Sequence, residues 1–388
     1  MKHTTAGLLT VGLIIAAAAA GFAQEPEIKF SGYAKSGILW TKSQFQGMDD
    51  FTESVNLGSK DDAGSGQGRF RLDLEFVKGN MGIKTRIEWD NWIDTAPAWK
   101  YAFAYGNFFD DQLTFSVGKL GSSPWGTGGP EMWKELETGS GGGMRTEWKP
   151  SFIPGLNAGF VLNFYDKGRD QGWPNDKPLT LLEILRESVI GISYTHDLFL
   201  FRFAYRLDGE VDTIQGNQGK KDGEDSLLYR VEERVLKNYL PGFQIWALGY
   251  FEGLYAEDQS CQLLQNWLFA QYDPEHFTAQ IRFGLDIGDK RTVFHLRPSF
   301  YYKFFGNLLN AGGMFWYGQD SGEGKIYEGS PYQFIEIEPK IQLNFGSSYV
   351  AFAYNFRRAY TNFPAAIEMG LEPIQQTQWM NLRFCMQL

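Results

Sequence analysis

Basic side chains stand two residues apart at several places in this chain. Arg69 and Arg71 have this spacing, and Lys84 and Arg86 repeat it shortly afterwards. Alternate residues of an extended strand point to the same face, so such pairs would line one surface with positive charge. The basic side chains found in such segments are Arg69, Arg71, Lys84, Arg86, Arg145, Lys149, Arg202, Arg206, Arg230, Arg234, Arg282, Arg297 and Arg383.

Three acids, Glu131, Glu135 and Glu137, lie in a long stretch, residues 120–144, that is rich in glycine at both ends. A loop this long is uncommon in a compact domain and is usually either functional or disordered. Two prolines, two tryptophans and a predicted helical turn over residues 131–137 argue against disorder. We predict that this loop folds into the space enclosed by the strands on either side of it. The alternative is that the loop is exposed on the surface.

Opposed charges across a narrow, water-poor gap produce a transverse field, which orients polar solutes and sets an ion preference. The predicted site is a constriction formed by Glu131, Glu135, Glu137, Arg69, Arg71, Lys84, Arg86 and Arg145. An alternative is that the wall acids pair with neighbouring arginines and only neutralise the surface. Those acids are Asp73, Glu75, Glu88, Glu147 and Glu232.

Short strands are the elements that would hold these residues. In residues 69–78, Phe70, Leu72, Leu74 and Phe76 alternate with charged side chains, and residues 81–90 show the same pattern. Only Gly79-Asn80 separates the two segments, which is typical of a tight hairpin. A water-soluble sandwich also alternates, so alternation alone does not identify the solvent on the apolar face.

The lengths of the connections favour a membrane barrel. Short turns and long polar links alternate along the whole chain, as in outer-membrane barrels, whose strand number is even. We predict a transmembrane antiparallel β-barrel of about 18 strands, with 16 as the alternative count. The predicted strands are 28–41, 68–78, 81–90, 100–108, 113–119, 144–151, 156–165, 188–195, 198–209, 227–235, 243–254, 262–272, 277–287, 292–304, 308–318, 332–345, 349–357 and 376–388.

Some local features do not fit this pattern simply. In residues 262–272 and 308–318 the pattern does not show which side chains belong to the apolar face, and Glu233 would point to the apolar side. Pro298 and Pro339 lie inside predicted strands, where each removes a ladder hydrogen bond. Residues 179–187 are better explained as a short helix in a loop. The aromatic side chains Trp40, Trp89 and Tyr302 are candidates for interfacial girdles, with simple turn capping as the alternative.

The N-terminus predicts export. Lys2 and His3 precede an apolar run, and Gly21-Phe22-Ala23 provides the small residues of a cleavage site. Residues 1–23 are therefore a predicted signal peptide, and residues 24–388 a single barrel domain. No later apolar run approaches the roughly 18–20 residues of a membrane helix. Aromatic residues make up 16% of the chain and glycines number 45, which suits many short strands, tight turns and interfacial girdles.

Composition and motifs argue against other functions. The net charge of -10 speaks against a nucleic-acid partner. His295 is the single histidine in a predicted strand, and no nucleophile or carboxylate is spaced to form a triad with it. We predict no enzyme activity, no cofactor and no defined metal site, although loop residues 216–225 could bind calcium without the usual ligand spacing. Cys261 and Cys385 are too few for a disulfide framework.

At this point the sequence resembles the Gram-negative-type porins. Phe30-Ser31-Gly32-Tyr33-Ala34-Lys35-Ser36-Gly37 resembles their first strand, and Phe115-Ser116-Val117-Gly118-Lys119 followed by Ser123-Pro124-Trp125-Gly126 resembles their fifth strand entering the constriction loop. Glu147-Trp148-Lys149 and Pro154-Gly155-Leu156-Asn157 resemble the next hairpin. The chain departs from the family by ending in Leu388 rather than Phe. The resemblance implies a homotrimer in the outer membrane.

The expected function is passive diffusion of small hydrophilic solutes or ions through a water-filled pore surrounded by outer-membrane lipid. Two alternatives come from other classes: a surface adhesin or structural barrel with no open pore, and a secreted soluble carbohydrate binder. The sequence does not identify the solute.

Overall fold

A computed structural model describes most of the chain. The described residues are 25–45, 51–57, 59–61, 64–66, 68–90, 97–121, 124–128, 142–164, 181–186, 188–207, 225–254, 262–288, 291–320, 331–361 and 374–387.

These residues form strands almost throughout. The strands are β1 (Glu27–Phe45), β2 (Thr52–Leu57), β3 (Ser59–Asp61), β4 (Gly64–Gly66), β5 (Arg69–Lys78), β6 (Met81–Asp90), β7 (Ala98–Phe108), β8 (Leu113–Lys119), β9 (Gly142–Trp148), β10 (Leu156–Asn163), β11 (Val189–Thr195), β12 (Phe199–Arg206), β13 (Asp225–Glu233), β14 (Phe243–Leu254), β15 (Leu263–Tyr272), β16 (Phe277–Gly288), β17 (Arg291–Phe304), β18 (Leu309–Asp320), β19 (Pro331–Phe345), β20 (Ser348–Thr361) and β21 (Ile374–Gln387). Two short helices are α1 (Leu181–Arg186) and α2 (Val235–Tyr239).

The sheet closes on itself through its first and last strands. β1 pairs with β21 from Tyr33–Gln387 to Phe45–Gln375, and its other edge pairs with β5 from Glu27–Val77 to Lys35–Arg69. Together with the pairing of β5 through β21 in chain order, this makes a closed antiparallel barrel of 18 strands, β1 and β5–β21. The predicted fold and strand count are confirmed. Closure leaves no open sheet edge, which hydrocarbon would not tolerate.

One predicted loop contains strands. Residues 42–67 are not simply the polar link that the sequence predicts, because β2 pairs with β1 between Ile38–Leu57 and Ser43–Thr52. β2 follows the same edge of β1 that β5 occupies further along, so the two are successive parts of one barrel strand. The short β3–β4 hairpin interrupts them. Because these segments are short and polar, periodicity alone did not reveal them.

Two prolines are accommodated by local gaps in the ladders. The pairing of β17 with β18 passes from Leu296–Tyr317 to Ser299–Met314, which omits Pro298 without a change of register. The pairing of β19 with β20 passes from Ile337–Phe356 to Lys340–Ala353 and omits Pro339 in the same way. Each proline still pairs on its other edge, so the missing donor interrupts only one ladder.

The polarity of the two barrel faces is the reverse of that in a soluble protein: the outer face is apolar and the inner face is polar. On β19, Ile335 and Ile337 are 44% and 49% exposed, whereas Glu336 and Glu338 between and beside them are 1% and 3% exposed. The same alternation runs around the barrel. Exposed apolar side chains on the outer face include Ile83, Val117, Ile190, Val231, Leu268, Ile281, Phe300, Phe315, Ile341, Phe352 and Phe384.

The strands of ambiguous facing follow this rule. Leu268 and Phe315 are exposed on the outer face, while Trp267, Phe269 and Trp316 are on the inner one. Glu233 does lie on the apolar side, at the end of β13, where its Oε1 accepts a hydrogen bond of 2.8 Å from the backbone N–H of Leu236. Glu233 is accommodated there because it accepts a hydrogen bond from the first turn of α2.

Helices are a minor part of the structure. α1 lies within the helix predicted for residues 179–187, and that prediction is confirmed. Among the described residues, no helix is long and apolar enough to cross a membrane.

Candidate functional site: the inner wall and residues 124–128

The residues that follow the fifth barrel strand, β8, lie against the inner wall. Trp125 is fully buried, and its indole Nε1 donates a hydrogen bond of 3.3 Å to the carbonyl oxygen of Asn157. Its ring covers Gly159 and Gly191, which face each other on β10 and β11. A Cβ atom at Gly191 would lie 2.0 Å from Trp125 Cδ2, so the ring fits because both wall residues lack side chains.

Two arginines hold the next residues. Arg202 Nη1 donates to the carbonyl oxygen of Gly126 at 3.2 Å, and Arg230 Nη1 donates to those of Thr127 and Gly128 at 2.8 and 2.9 Å. Arg202 and Arg230 are direct cross-strand partners on β12 and β13. Like charges in this position repel, and the carbonyl oxygens between them offset the repulsion. Residues 124–128 therefore pass along the inner wall from β10 to β13.

An apolar patch of the wall underlies this path. Val161, Val189, Ala204, Leu228 and Leu248 contribute one inner-face side chain from each of β10 to β14, and all are fully or almost fully buried. The prediction that charged residues line the lumen does not include this apolar sector. A signal was present, since each of these strands carries apolar residues at some inner-face positions as well as on its outer face.

Four of the predicted site residues lie together on β5 and β6, and each is paired with a wall acid. Arg71 Nη2 is 2.9 Å from Glu88 Oε2, and Arg86 Nε is 2.6 Å from Asp73 Oδ1. Lys84 is 3.4 Å from Glu75, and Arg69 is 3.6 Å from Glu88. Neutralisation by neighbours, the alternative raised from the sequence, therefore describes this part of the wall.

Tyrosines of β7 reinforce the same network. The hydroxyl of Tyr101 donates to Asp73 at 2.6 Å, and that of Tyr105 donates to Glu75 at 2.8 Å. The four cations nevertheless keep between about a quarter and a half of their side-chain surface exposed. The wall thus presents positive side chains to the lumen beside acids, of which Glu88 is buried and Asp73 and Glu75 are partly buried.

Arg145 is separate from these four. It lies on β9, almost buried, with its Nε 3.0 Å from Glu147 and its Nη1 donating to the carbonyl oxygen of Gly121 at 3.3 Å. β7 and β8 lie between it and Lys84. Arg145 therefore contacts the start of the long loop rather than the β5–β6 cluster. The predicted loop acids Glu131, Glu135 and Glu137, like the predicted turn over residues 131–137, lie outside the described residues.

The other predicted basic residues continue the charged lining. Arg383 Nη2 is 3.5 Å from Glu338. Asn355 donates a hydrogen bond to Glu338 and another, of 2.6 Å, to Glu336. Lys149 and Arg234 lie 3.4 and 3.2 Å from Glu147 and Glu232. Arg282 and Arg297 face each other across β16 and β17.

The girdle candidates lie near the ends of their strands. Tyr302 is on the outer face near the short turn that follows β17, with its ring centroid 4.7 Å from that of Phe304. Trp40 is on the outer face near the far end of β1, and its indole donates to Glu53 at 2.6 Å. Polar tips at the ends of an apolar band are typical of membrane–water interfaces.

A closed barrel with an apolar exterior, a charged interior and chain folded against its inner wall is the class of membrane-spanning β-barrel that encloses a polar lumen. No family model matches the chain, and no curated protein matches it. Among solved structures, a five-substitution mutant of the Rh. blastica porin is 11% identical with a TM-score of 0.43, over 93% of this chain and 100% of that one. A triple mutant of the Rhodopseudomonas blastica porin gives the same identity, TM-score and coverage.

Proposed function

We propose that this chain forms a water-filled channel in an outer membrane and lets small hydrophilic solutes or ions diffuse through passively. The main support for this proposal is that charged side chains lie on the inner face of the barrel and apolar ones on the outer face. Glu336 and Glu338 are buried on the inside, whereas Ile335 and Ile337 are exposed on the outside. This arrangement suits a barrel that is surrounded by hydrocarbon and has a polar interior, as outer-membrane channels have.

The proposed channel is narrowed by the long loop between β8 and β9. The contacts of residues 124–128 with Asn157, Arg202 and Arg230 support an inward path for its first part. In this proposal Glu131, Glu135 and Glu137 continue that path and face the cations Arg69, Arg71, Lys84 and Arg86, with Arg145 at the start of the loop. Opposed charges there would set the ion preference.

Export and assembly complete the proposal. Residues 1–23 are removed as a signal peptide, the barrel is inserted in outer-membrane lipid, and three copies associate. Neither a cofactor nor chemical catalysis is part of this function.

Conductance in planar bilayers tests the channel. Purified mature protein should add stepwise, ohmic conductance, and liposomes containing it should swell in small sugars. A surface adhesin or structural barrel would give no conductance. A soluble carbohydrate binder would stay in buffer without detergent, and its mobility on gels would not depend on heating.

A double substitution tests the constriction. In Glu131→Gln/Glu135→Gln, reversal potentials in a salt gradient should shift towards anion preference and unit conductance should change, because two negative charges leave the narrow zone. The matched control is Asp110→Asn/Glu275→Gln, which removes two acids from exposed short turns. If the loop variant behaves like this control, the loop acids do not bound the pore.

A further inference from the structure

The outer face of the barrel changes from apolar to polar along β20, β21 and β1, which meet at the seam where β1 pairs with β21. Three successive rows of directly opposed outer-face residues show the change: Tyr354–Met380–Trp40, then Phe356–Gln378–Lys42, then Arg358–Gln376–Gln44. The last row lies nearest to the long connections, which are on the external side in outer-membrane barrels. Tyrosine and tryptophan are typical of the membrane–water interface, so the two rows beyond them lie at the level of the lipid headgroups.

Four residues of these two rows, Lys42, Arg358, Gln376 and Gln378, form what we call the seam patch. Arg358 is exposed, and the other three are partly exposed. The ammonium of Lys42 lies 4.0 Å from the ring centroid of Phe51, a contact that holds the charge without supplying a hydrogen-bond acceptor. Within the described part of the chain, the side chains of Lys42, Gln376 and Gln378 have no hydrogen-bond partner. The seam patch therefore presents donors to its surroundings.

One acid lies beside the seam patch. Glu53 is opposite Lys42 on β2. Its Oε1 accepts a hydrogen bond of 2.6 Å from the indole of Trp40, in the row nearer to the apolar band. Among the described contacts, no ion pair joins Glu53 to Lys42, so the seam patch keeps an excess of positive charge.

The seam patch takes its residues from three strands and spans the closure of the barrel. On the inner face, side chains join this end of the seam: Ser43 Oγ lies 3.3 Å from Thr377 Oγ1 and accepts a hydrogen bond of 2.8 Å from Gln375. On the outer face, no hydrogen bond between described side chains links Lys42 to Gln376 or Gln378. A ligand with several acceptor oxygens could make this connection.

We propose that the seam patch binds the phosphate of an anionic lipid headgroup in the outer leaflet, and that the bound lipid fastens β1 to β21 and β20. The guanidinium fork of Arg358 matches phosphate oxygens, and the ammonium of Lys42 adds a point charge. The amides of Gln376 and Gln378 lie between them and supply neutral donors. The inference goes beyond passive diffusion and rests only on the membrane location in the proposed function.

Retention of phosphatidic acid tests the site. The purified protein is titrated with phosphatidic acid in a non-ionic detergent, and native mass spectrometry counts the lipids bound to each chain. Arg358→Gln should raise the half-saturating concentration of the tightest-bound lipid about tenfold, the value of one lost charge-assisted hydrogen bond. Lys42→Gln should also raise it. Phosphatidylcholine, whose headgroup has no net charge, should be retained weakly by all of these proteins.

The matched control is Lys119→Gln, which also removes a cation at the long-connection end of the barrel. Lys119 lies two residues beyond the outer-face Val117 on β8, and its ammonium donates to the carbonyl oxygen of Trp99 at 2.6 Å. This variant should retain phosphatidic acid as the native protein does. Arg358→Lys keeps the charge without the fork and should weaken retention less than Arg358→Gln. The proposal is overturned if Arg358→Gln behaves like the control, or if oleate, an anion without phosphate, binds as tightly as phosphatidic acid.

Hydrogen exchange tests the fastening of the seam. When phosphatidic acid is added to phosphatidylcholine vesicles that contain the protein, amide exchange should slow in residues 38–45 and 375–382, on the two sides of the seam. A ligand bound across both strands opposes their local opening. Arg358→Gln should abolish this slowing. Equal slowing in β15 and β16, on another part of the wall, would overturn the assignment to the seam.

Other occupants of the seam patch give different results. Displacement of phosphatidic acid by inorganic phosphate at similar concentration would mean that the patch binds free phosphate and not a lipid. A change in the number of associated chains in Arg358→Gln, with lipid retention unaltered, would mean that a second copy covers the patch. Either result overturns the proposal. None of these measurements needs an open pore, so failure of the lipid site is distinguishable from failure of the channel.

Discussion

Trp125 packs against the inner wall because two of the wall residues beneath its ring have no side chain. Gly159 and Gly191 leave room for the indole, and no larger residue could do so because an added Cβ at Gly191 would overlap the ring. Asn157 then fixes the orientation of the ring by accepting its N–H. A tryptophan between Pro124 and Gly126 can be read from the sequence, but the pairing of two glycines on different strands depends on register.

Filling this space should release the loop. We expect Gly191→Val to displace Trp125 and to destabilise the barrel by about 1–3 kcal/mol, the usual cost of overpacking. The open channel should become noisier, because the start of the long loop loses its attachment. Denaturant unfolding in micelles and single-channel recordings measure the two effects.

The neighbouring Ile190→Val is the control for this prediction, since Ile190 is 54% exposed on the outer face. It should change stability by much less than Gly191→Val and leave the recordings unchanged. If the two variants are indistinguishable, Trp125 does not depend on the glycine pair.

At the scale of the element, alternation within each strand determines which solvent each face requires. Residues 81–90, 113–119 and 243–254 were predicted with the bounds that β6, β8 and β14 have. Each of these strands either alternates clearly between apolar and polar residues or begins or ends at a tight turn. β2 was missed because its six residues show no such contrast. Sequence periodicity is therefore informative where one face is apolar, and weak where both are polar.

A charge on the outer face of β19 tests the assigned solvent. We expect Ile337→Arg to destabilise the barrel by about 2–4 kcal/mol if the residue is near the bilayer midplane, because the guanidinium would lie in hydrocarbon. The fraction of protein that reaches the heat-modifiable folded form in liposomes measures the loss. Ile337→Val is the control and should fold normally. A stable, detergent-free Ile337→Arg protein would show that water covers this face.

At the scale of the whole molecule, closure joins the two ends of the chain. The seam pairs Ser36 of β1 with Phe384 of β21, so residues separated by nearly the entire sequence are direct neighbours. Their Cβ atoms should be about 4.5–5.5 Å apart, as in any opposed antiparallel pair. This is close to the separation that a disulfide needs.

An engineered disulfide tests this closure. Ser36→Cys/Phe384→Cys, made in a background without Cys261 and Cys385, should oxidise to a covalent ring. The ring should migrate differently from the reduced chain on a denaturing gel. The pair Ser36→Cys/Met386→Cys is displaced by two residues, to about 7–8 Å, and should cross-link poorly. Equal cross-linking of the two pairs would mean that the seam has another register.

The amino-acid sequence by itself determined the barrel, a count of about 18 strands, the lipid-facing side of most strands and the position of the long loop after the fifth strand. These follow from period-two alternation and from the lengths of the connections, which are local properties. The tertiary structure alone decided which charges are neighbours. It paired Arg71 with Glu88 and Arg86 with Asp73, separated Arg145 from them, and placed Arg202 opposite Arg230. Such contacts depend on the register between strands, and a shift of one residue would turn every side chain of a strand to the opposite face.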